Sequence, residues 1–189
     1  MSCRRTAEST RASIHAAALD AFLHHGYQAT TLEDIAGTLG LTRAAILYHY
    51  RSKEDLLRDI VEPVLIAIEA TLDRFPVSDA PTGADQDAVI GALVDVFLAH
   101  RSEMALILRF TNDTATLDLG ATVRALNQRA AVLLGGPGFA DDPERRLRVV
   151  ATLAALSGTM GARLHVPLNS PAERETLIRA LLDVLRGCG

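Results

Sequence analysis

The sequence predicts an all-α protein of about nine helices, and three observations carry that expectation. Ala, Leu, Arg, Asp and Glu dominate the 189 residues, whereas aromatics make up 4% and Trp is absent. Apolar residues recur at spacings of three and four, the period of one helix face, and alternating β-branched runs are scarce. An apolar fraction of 49% is ample for a buried core.

The first helix is expected over about 9–25, where Ile14, Ala17, Ala18, Ala21 and Phe22 keep the period and Gly26 ends it. A second follows over about 32–39, with Thr31 as N-cap, Asp34 three residues on, and a stripe of Leu32, Ile35, Ala36 and Leu39. Gly40 stops it at no steric penalty, and Thr42 caps a third helix over 43–49. Ser52 caps a fourth, carried on by Leu56, Leu57, Ile60, Val61 and Val64. "PVSDAPTGAD" reads as a loop, and further helices are expected at about 85–100, 103–110, 119–134, 143–165 and 171–186. Their separators, "TNDTATLD", "LGGPGFADD" and "VPLNSP", are rich in Gly, Pro, Asn or Asp.

Charge and composition exclude several functions. A net charge of −4 argues against a uniformly basic nucleic-acid binder. The division is uneven: residues 1–60 carry seven basic and seven acidic side chains, residues 61–189 twelve and sixteen. No run approaches about 18 apolar residues and "MSCRRTAEST" lacks an apolar signal region, so a soluble, cytoplasmic protein with no membrane partner is expected. Cys3 and Cys188 lie near opposite termini, where a structural disulfide is not expected. No nucleophile elbow, phosphate loop, H-E-x-x-H or Ser/His/Asp arrangement supports catalysis, so no catalytic residue and no cofactor is expected. His24, His25 and His100 do not make a metal site, because adjacent histidines point different ways on a helix and lack partners at ligand spacing.

The stretch 30–56, "TTLEDIAGTLGLTRAAILYHYRSKEDL", breaks a helix and restarts it at once. An eight-residue helix, a four-residue turn centred on Gly40 and another short helix form a helix-turn-helix signature. The restart projects the beginning of the third helix outward, where Thr42 and Arg43 can reach base edges in a major groove. Tyr48, His49, Arg51 and Lys53 follow with donors suited to phosphate oxygens. A purely structural helix-turn-helix, with Tyr48 and Tyr50 as packing residues, fits the same spacing.

Residues from about Ile14 to Leu57 resemble the DNA-binding domain of the TetR family of bacterial transcriptional regulators, through "F-x-x-x-G-Y-x-A-T-T", the "I-A" of the second helix and "L-Y-H-Y-x-S-K-E". The resemblance covers about a quarter of the chain. It implies a DNA-binding domain over 1–54 and a helical effector-binding and dimerisation domain over 55–189. It implies base contacts from Thr42, Arg43 and Ala44 and phosphate contacts from Thr31, Tyr48, His49 and Lys53. Leu47 departs from the family pattern, which often has a phosphate-contacting Tyr there, and Arg51 stands where Pro or Gly is frequent. The implied partners are double-stranded, pseudo-palindromic operator DNA, a second copy of the chain and a small-molecule effector, and the implied activity is repression relieved by that effector.

In the larger part, Pro63 falls within the predicted fourth helix, where a hinge and a plain kink fit equally. Small residues Ala151, Ala154, Ala155, Gly158 and Ala162 recur at helical spacing, which lets another helix approach closely. The last helix shows Leu177, Ile178, Leu181, Leu182 and Leu185 on a broad apolar face. Together they resemble the family's dimerisation pair. Phe97, Met104, Leu108, Phe110, Asn127, Met160 and Arg163 are candidates to line an effector pocket, as large or polar groups amid apolar helices. Arg163 either pairs with a carboxylate, reaches solvent or awaits an anionic ligand group. The aliphatic surroundings predict a small, mainly apolar effector.

Overall fold

The structure, a computed structural model, describes residues 2–110, 117–160 and 170–187, without the side chains of residues 2–7, 110, 117, 118 and 160. The described residues hold nine helices and no strand: α1 (Ser2–His25), α2 (Leu32–Thr38), α3 (Arg43–His49), α4 (Lys53–Leu72), α5 (Gly83–Ala99), α6 (Arg101–Phe110), α7 (Leu117–Gly135), α8 (Pro143–Met160) and α9 (Pro171–Arg186). The all-α expectation holds.

Differences in the helix bounds have local causes. α1 starts at Ser2 rather than near Ser9, because "SCRRTAE" has no apolar stripe to signal a helix but contains nothing that forbids one. α5 starts two residues before the expected Asp85, since Thr82 caps it and Asp85 is the third residue, returning a bond to the cap backbone N–H at 2.8 Å. α9 matches its expected range: Ser170 and Glu173 form a second such box and Pro171 begins the helix, where a missing N–H costs nothing. The expected end of α8 near His165 lies outside the described residues.

The chain divides into two compact units, Met1–Pro63 and Val64–Gly189. The sequence reading placed a boundary at 54/55. In the structure the first turns of α4 lie in the first unit, because Leu56, Leu57, Ile60 and Val61 are all buried. Residues Ile14, Ala18 and Phe22 of α1, Ile35 of α2 and Ile46 of α3 complete that core, each fully buried. α2 and α3 have seven residues each, too few to be helical alone, so this shared core is what holds them.

In the second unit α9 packs on α8 and α5, and α7 on α8. Ile90, Val94, Leu106, Leu134, Val149 and Leu156 form its interior with Leu181 and Leu185. Thr152, fully buried, satisfies its hydroxyl by donating to the Arg148 carbonyl at 2.8 Å. No helix among the described residues is long and apolar enough to cross a membrane.

Candidate functional site

The turn between α2 and α3 follows from its residues. Gly40 adopts φ 64°, a conformation costly for a residue with a Cβ, and Leu41 N–H then donates to the Ala36 carbonyl at 2.9 Å to close the end of α2. Thr42, extended at φ −90° and ψ 155°, accepts from Ala45 N–H at 3.2 Å and restarts the helix. Ile46 points into the core at 0% exposure. The opposite side of α3, which carries Ala44 and Tyr48, therefore faces out, and the first residues of the helix are open because they begin it. Thr42, Arg43, Ala44 and Leu47 are exposed, and Tyr48 is 84% exposed with its ring edge-on to that of half-buried His49. An aromatic left this open on a seven-residue helix contributes little to the fold. Arg43 Nε lies 2.9 Å from Glu33 Oε1 on α2.

Two expected phosphate donors are placed differently. The Lys53 ammonium donates to the carbonyls of Tyr27 at 2.8 Å and Thr30 at 2.9 Å and sits 4.2 Å from the centre of the Tyr27 ring. Sequence spacing put it at a backbone-facing helix start, but its long stem folds inward because the α1–α2 turn presents two carbonyls there. Lys53 is thus a clasp on that turn, with two of its three N–H groups spent within the chain. Thr31 is exposed, yet its hydroxyl proton goes to Asp34 Oδ2 at 2.6 Å, while its oxygen accepts from Asp34 N–H at 3.1 Å. The bonds from Thr31 hold the Asp34 carboxyl below the usual carboxylate range.

A second polar cluster ties α1, the end of α3 and α4. Tyr50, the C-cap of α3, is buried and donates its hydroxyl to Asp59 Oδ2 at 2.7 Å. Arg11 donates to Tyr50 Oη at 3.2 Å and ion-pairs with Asp59. Burial raises the affinity of Asp59 for a proton, but hydrogen bonds from Arg11 and Tyr50 outweigh it and keep the carboxyl below its ordinary range. Burial pushes the Tyr50 hydroxyl up to about 12, with the Asp59 bond adding to it.

In the second unit Phe97, Met104, Leu108 and Asn127 line one cavity, as the sequence suggests. Phe110, Met160 and Arg163 fall on residues whose side chains are not described. Leu65 and Ile68 of α4 and Ser157 of α8 also line it and were not singled out. All three sit on regular helical stripes, so nothing in the sequence separates them from ordinary core. Among the described residues Asn127 and Ser157 are the polar side chains of the lining, and no charged group joins them. The cavity measures about 40 Å³, room for a few waters only.

The small-residue strip of α8 faces outward. Ala151, Ala154 and Gly158 are exposed and Ala155 is half-buried, while Leu147 and Val150 on the same helix are 66% and 54% exposed. Leu181 and Leu185 do not share that surface. They are buried against the chain's own core, because α9 turns its leucine face inward; Val184 is the exposed apolar residue of its last turns. Ala162 lies outside the described residues.

Residues 14–60 match the family described as bacterial regulatory proteins, tetR family. The chain is 35% identical to the probable HTH-type transcriptional regulator ArpR of Pseudomonas putida, over 97% of this chain and 96% of that one. This chain belongs to the TetR family. The HTH-type regulator TtgR of Pseudomonas putida is also 35% identical, over 56% of this chain and about half, 49%, of TtgR. Among solved structures, a TetR-family regulator from Bordetella parapertussis superposes with a TM-score of 0.75 at 17% identity, covering 95% of each chain. SCO3833 of Streptomyces coelicolor does so at 0.74 and 24% identity, covering 92% of this chain and 89% of that one. Those two likenesses are of fold.

As a TetR-family helix-turn-helix transcriptional regulator, the chain carries its family signature where the first unit is built. Glu33, Arg11 and Asp59 make ion pairs in that unit that its sequence does not announce. Arg11 and Asp59 are 48 residues apart and no local spacing links them.

Proposed function

We propose that this TetR-family regulator is a repressor that binds pseudo-palindromic double-stranded operator DNA as a two-fold dimer and is released by a small, uncharged, mainly apolar effector. The observation that carries the DNA reading is the outward face of α3: Thr42, Arg43, Ala44 and Tyr48 stay exposed while Ile46 anchors the helix from behind. Thr42 and Arg43 begin the helix and take the base-reading positions; Tyr48 and His49 take backbone positions, and Lys53 supports them through the turn it clasps.

The dimer reading is supported by the exposed strip of Leu147, Val150, Ala151, Ala154 and Gly158 on α8 with Val184 on α9. A single seven-residue recognition helix contacts too few bases for useful specificity, so a second copy is needed. A Cβ added at Gly158 meets nothing within 4 Å in the single chain. Gly158→Leu is therefore compatible with the folded protomer and is expected to separate subunits; a dimer unchanged in light scattering at micromolar concentration rejects this face.

The effector reading rests on the cavity of the second unit, whose described walls are apolar, mostly aliphatic with Phe97, and carry two neutral polar groups, Asn127 and Ser157. A volume of about 40 Å³ is too small for such a ligand. A ligand of that kind therefore needs a wider cavity than this one, and binds best to a conformation in which the lining has moved apart. A ligand acts only through such differential affinity: about 2.7 kcal/mol gives roughly a hundredfold loss of operator binding. A thermal-shift screen of uncharged apolar molecules, followed by binding of each hit's complex to a duplex selected from a random pool, tests the whole reading. Stabilising ligands that leave that binding unchanged remove the induction mechanism; selection that enriches no sequence removes DNA recognition itself.

A further inference from the structure

Arg43 does not stand alone at the head of α3. Its Nε lies 2.9 Å from Glu33 Oε1 of the preceding helix, and both side chains are more than half exposed, 58% and 59%. An ion pair so open to water adds little to stability, because solvent screens it and two long side chains must be held still. It also places a carboxylate on the surface that is to meet a polyanion, where each acidic group weakens binding to phosphate. Glu33 also lies in the first turn of α2, where a carboxylate suits the helix dipole, but that modest role does not require its placement against Arg43.

We propose that Glu33 is a specificity-determining positioning residue that holds Arg43 for bidentate recognition of a guanine. This rests on the reading of α3 as the recognition helix. The carboxylate engages Nε, the nitrogen nearest the chain, and the terminal fork is the part of the guanidinium that matches O6 and N7 of guanine in the major groove. A tethered guanidinium loses less freedom on meeting a base, and it is drawn away from neighbouring phosphates, the alternative sites that would give affinity without sequence information. Glu33 thus lowers binding to all DNA and raises the ratio between the correct sequence and the rest. Its position is fixed independently of Arg43: Glu33 follows the buried Leu32 and precedes Asp34, whose box with Thr31 caps α2.

The test compares the unmodified protein with Glu33→Gln, Glu33→Ala and Arg43→Ala. Each is first used to select duplexes from a random-sequence pool at fixed salt. Binding is then measured to the duplex chosen by the unmodified protein and to random duplex of equal length. Thermal melting checks that the variants fold; the Glu33 variants are expected to melt with the unmodified protein. Arg43→Ala loses a guanine from the selected site. Glu33→Gln and Glu33→Ala weaken preference for that same guanine, lower the selected-to-random ratio on the order of tenfold, and bind random duplex more tightly because a surface negative charge is gone. A merely structural role for Glu33 would change melting and affinity together and leave the base preference intact. The proposal is overturned if the Glu33 variants keep the guanine and the ratio, or if Arg43→Ala loses no guanine. Failure of the unmodified protein to enrich any sequence is a separate result, which removes the reading of α3 itself.

Discussion

The two units solve the problem of holding helices together in different ways. In Met1–Pro63, part-buried polar connections between distant parts of the chain reinforce the apolar core: Lys53 to the carbonyls of Tyr27 and Thr30, and Arg11 with Tyr50 and Asp59. In Val64–Gly189 long-range polar links also occur, Arg174 with Asp95 and Arg186 with Asp87, but they lie on the exposed surface, and the buried side chains are mostly aliphatic, with Thr71 and Thr152 the buried polar residues among those described. Directional bonds fix one geometry, whereas aliphatic packing depends mainly on volume and tolerates rearrangement. The proposed base-reading residues Thr42 and Arg43 stand on the first kind of framework, and the proposed effector cavity is lined by the second.

The largest expected effect would come from removing the Phe22 ring from the centre of the first unit. Phe22 is fully buried and meets Tyr27 edge-on with centroids 5.2 Å apart. Phe22→Ala should cost about 3–5 kcal/mol in urea unfolding. A cost under about 1 kcal/mol would mean that α1–α3 do not depend on a shared core.

Lys53→Met sharpens the contrast further, because it keeps the stem and deletes the ammonium. The loss of two charge-assisted bonds to carbonyls should lower stability by about 1–3 kcal/mol. The salt dependence of DNA binding should keep its slope, since the clasp acts through the turn. A normal melting curve with a slope smaller by about one would instead restore Lys53 to the phosphate contacts.

A smaller effect follows from pH. The Asp59 carboxyl sits below its ordinary range when folded, so its contribution is present above the unfolded value of ~3.9 and fades as pH falls through the lower folded value. The stability difference between the unmodified protein and Asp59→Asn should therefore be constant near neutrality and shrink below about pH 4. A difference that grows on acidification would show that Asp59 is not held ionised by Arg11 and Tyr50.

The contrast between the units also explains what could be read from sequence. Helix capping is local: Thr31 with Asp34, Thr42 with the N–H three residues on, and Ser170 with Glu173 all lie within four positions, so α2, α3 and α9 were legible to within a residue. Exposure of Thr42 and Arg43 was legible from their place where the helix restarts after Gly40. The inward turn of Lys53 was not legible, because its partners are main-chain carbonyls 23 and 26 residues away, which no side-chain pattern announces. Leu181 and Leu185 were misplaced for a related reason. Periodicity identifies an apolar face but not which neighbour covers it, and here α5 and α8 of the same chain do. Ser157 in the cavity lining had no signal at all.

Whether α3 reads sequence is decided most directly by one comparison. Binding of the unmodified protein and of Arg43→Ala to the selected duplex and to random duplex, each across a series of salt concentrations, measures this. The account predicts that Arg43→Ala costs about 1–3 kcal/mol on the selected duplex and much less on random duplex, so that the ratio between them collapses. An unchanged ratio, with both duplexes weakened equally, would contradict it and reduce Arg43 to one more positive charge near the DNA.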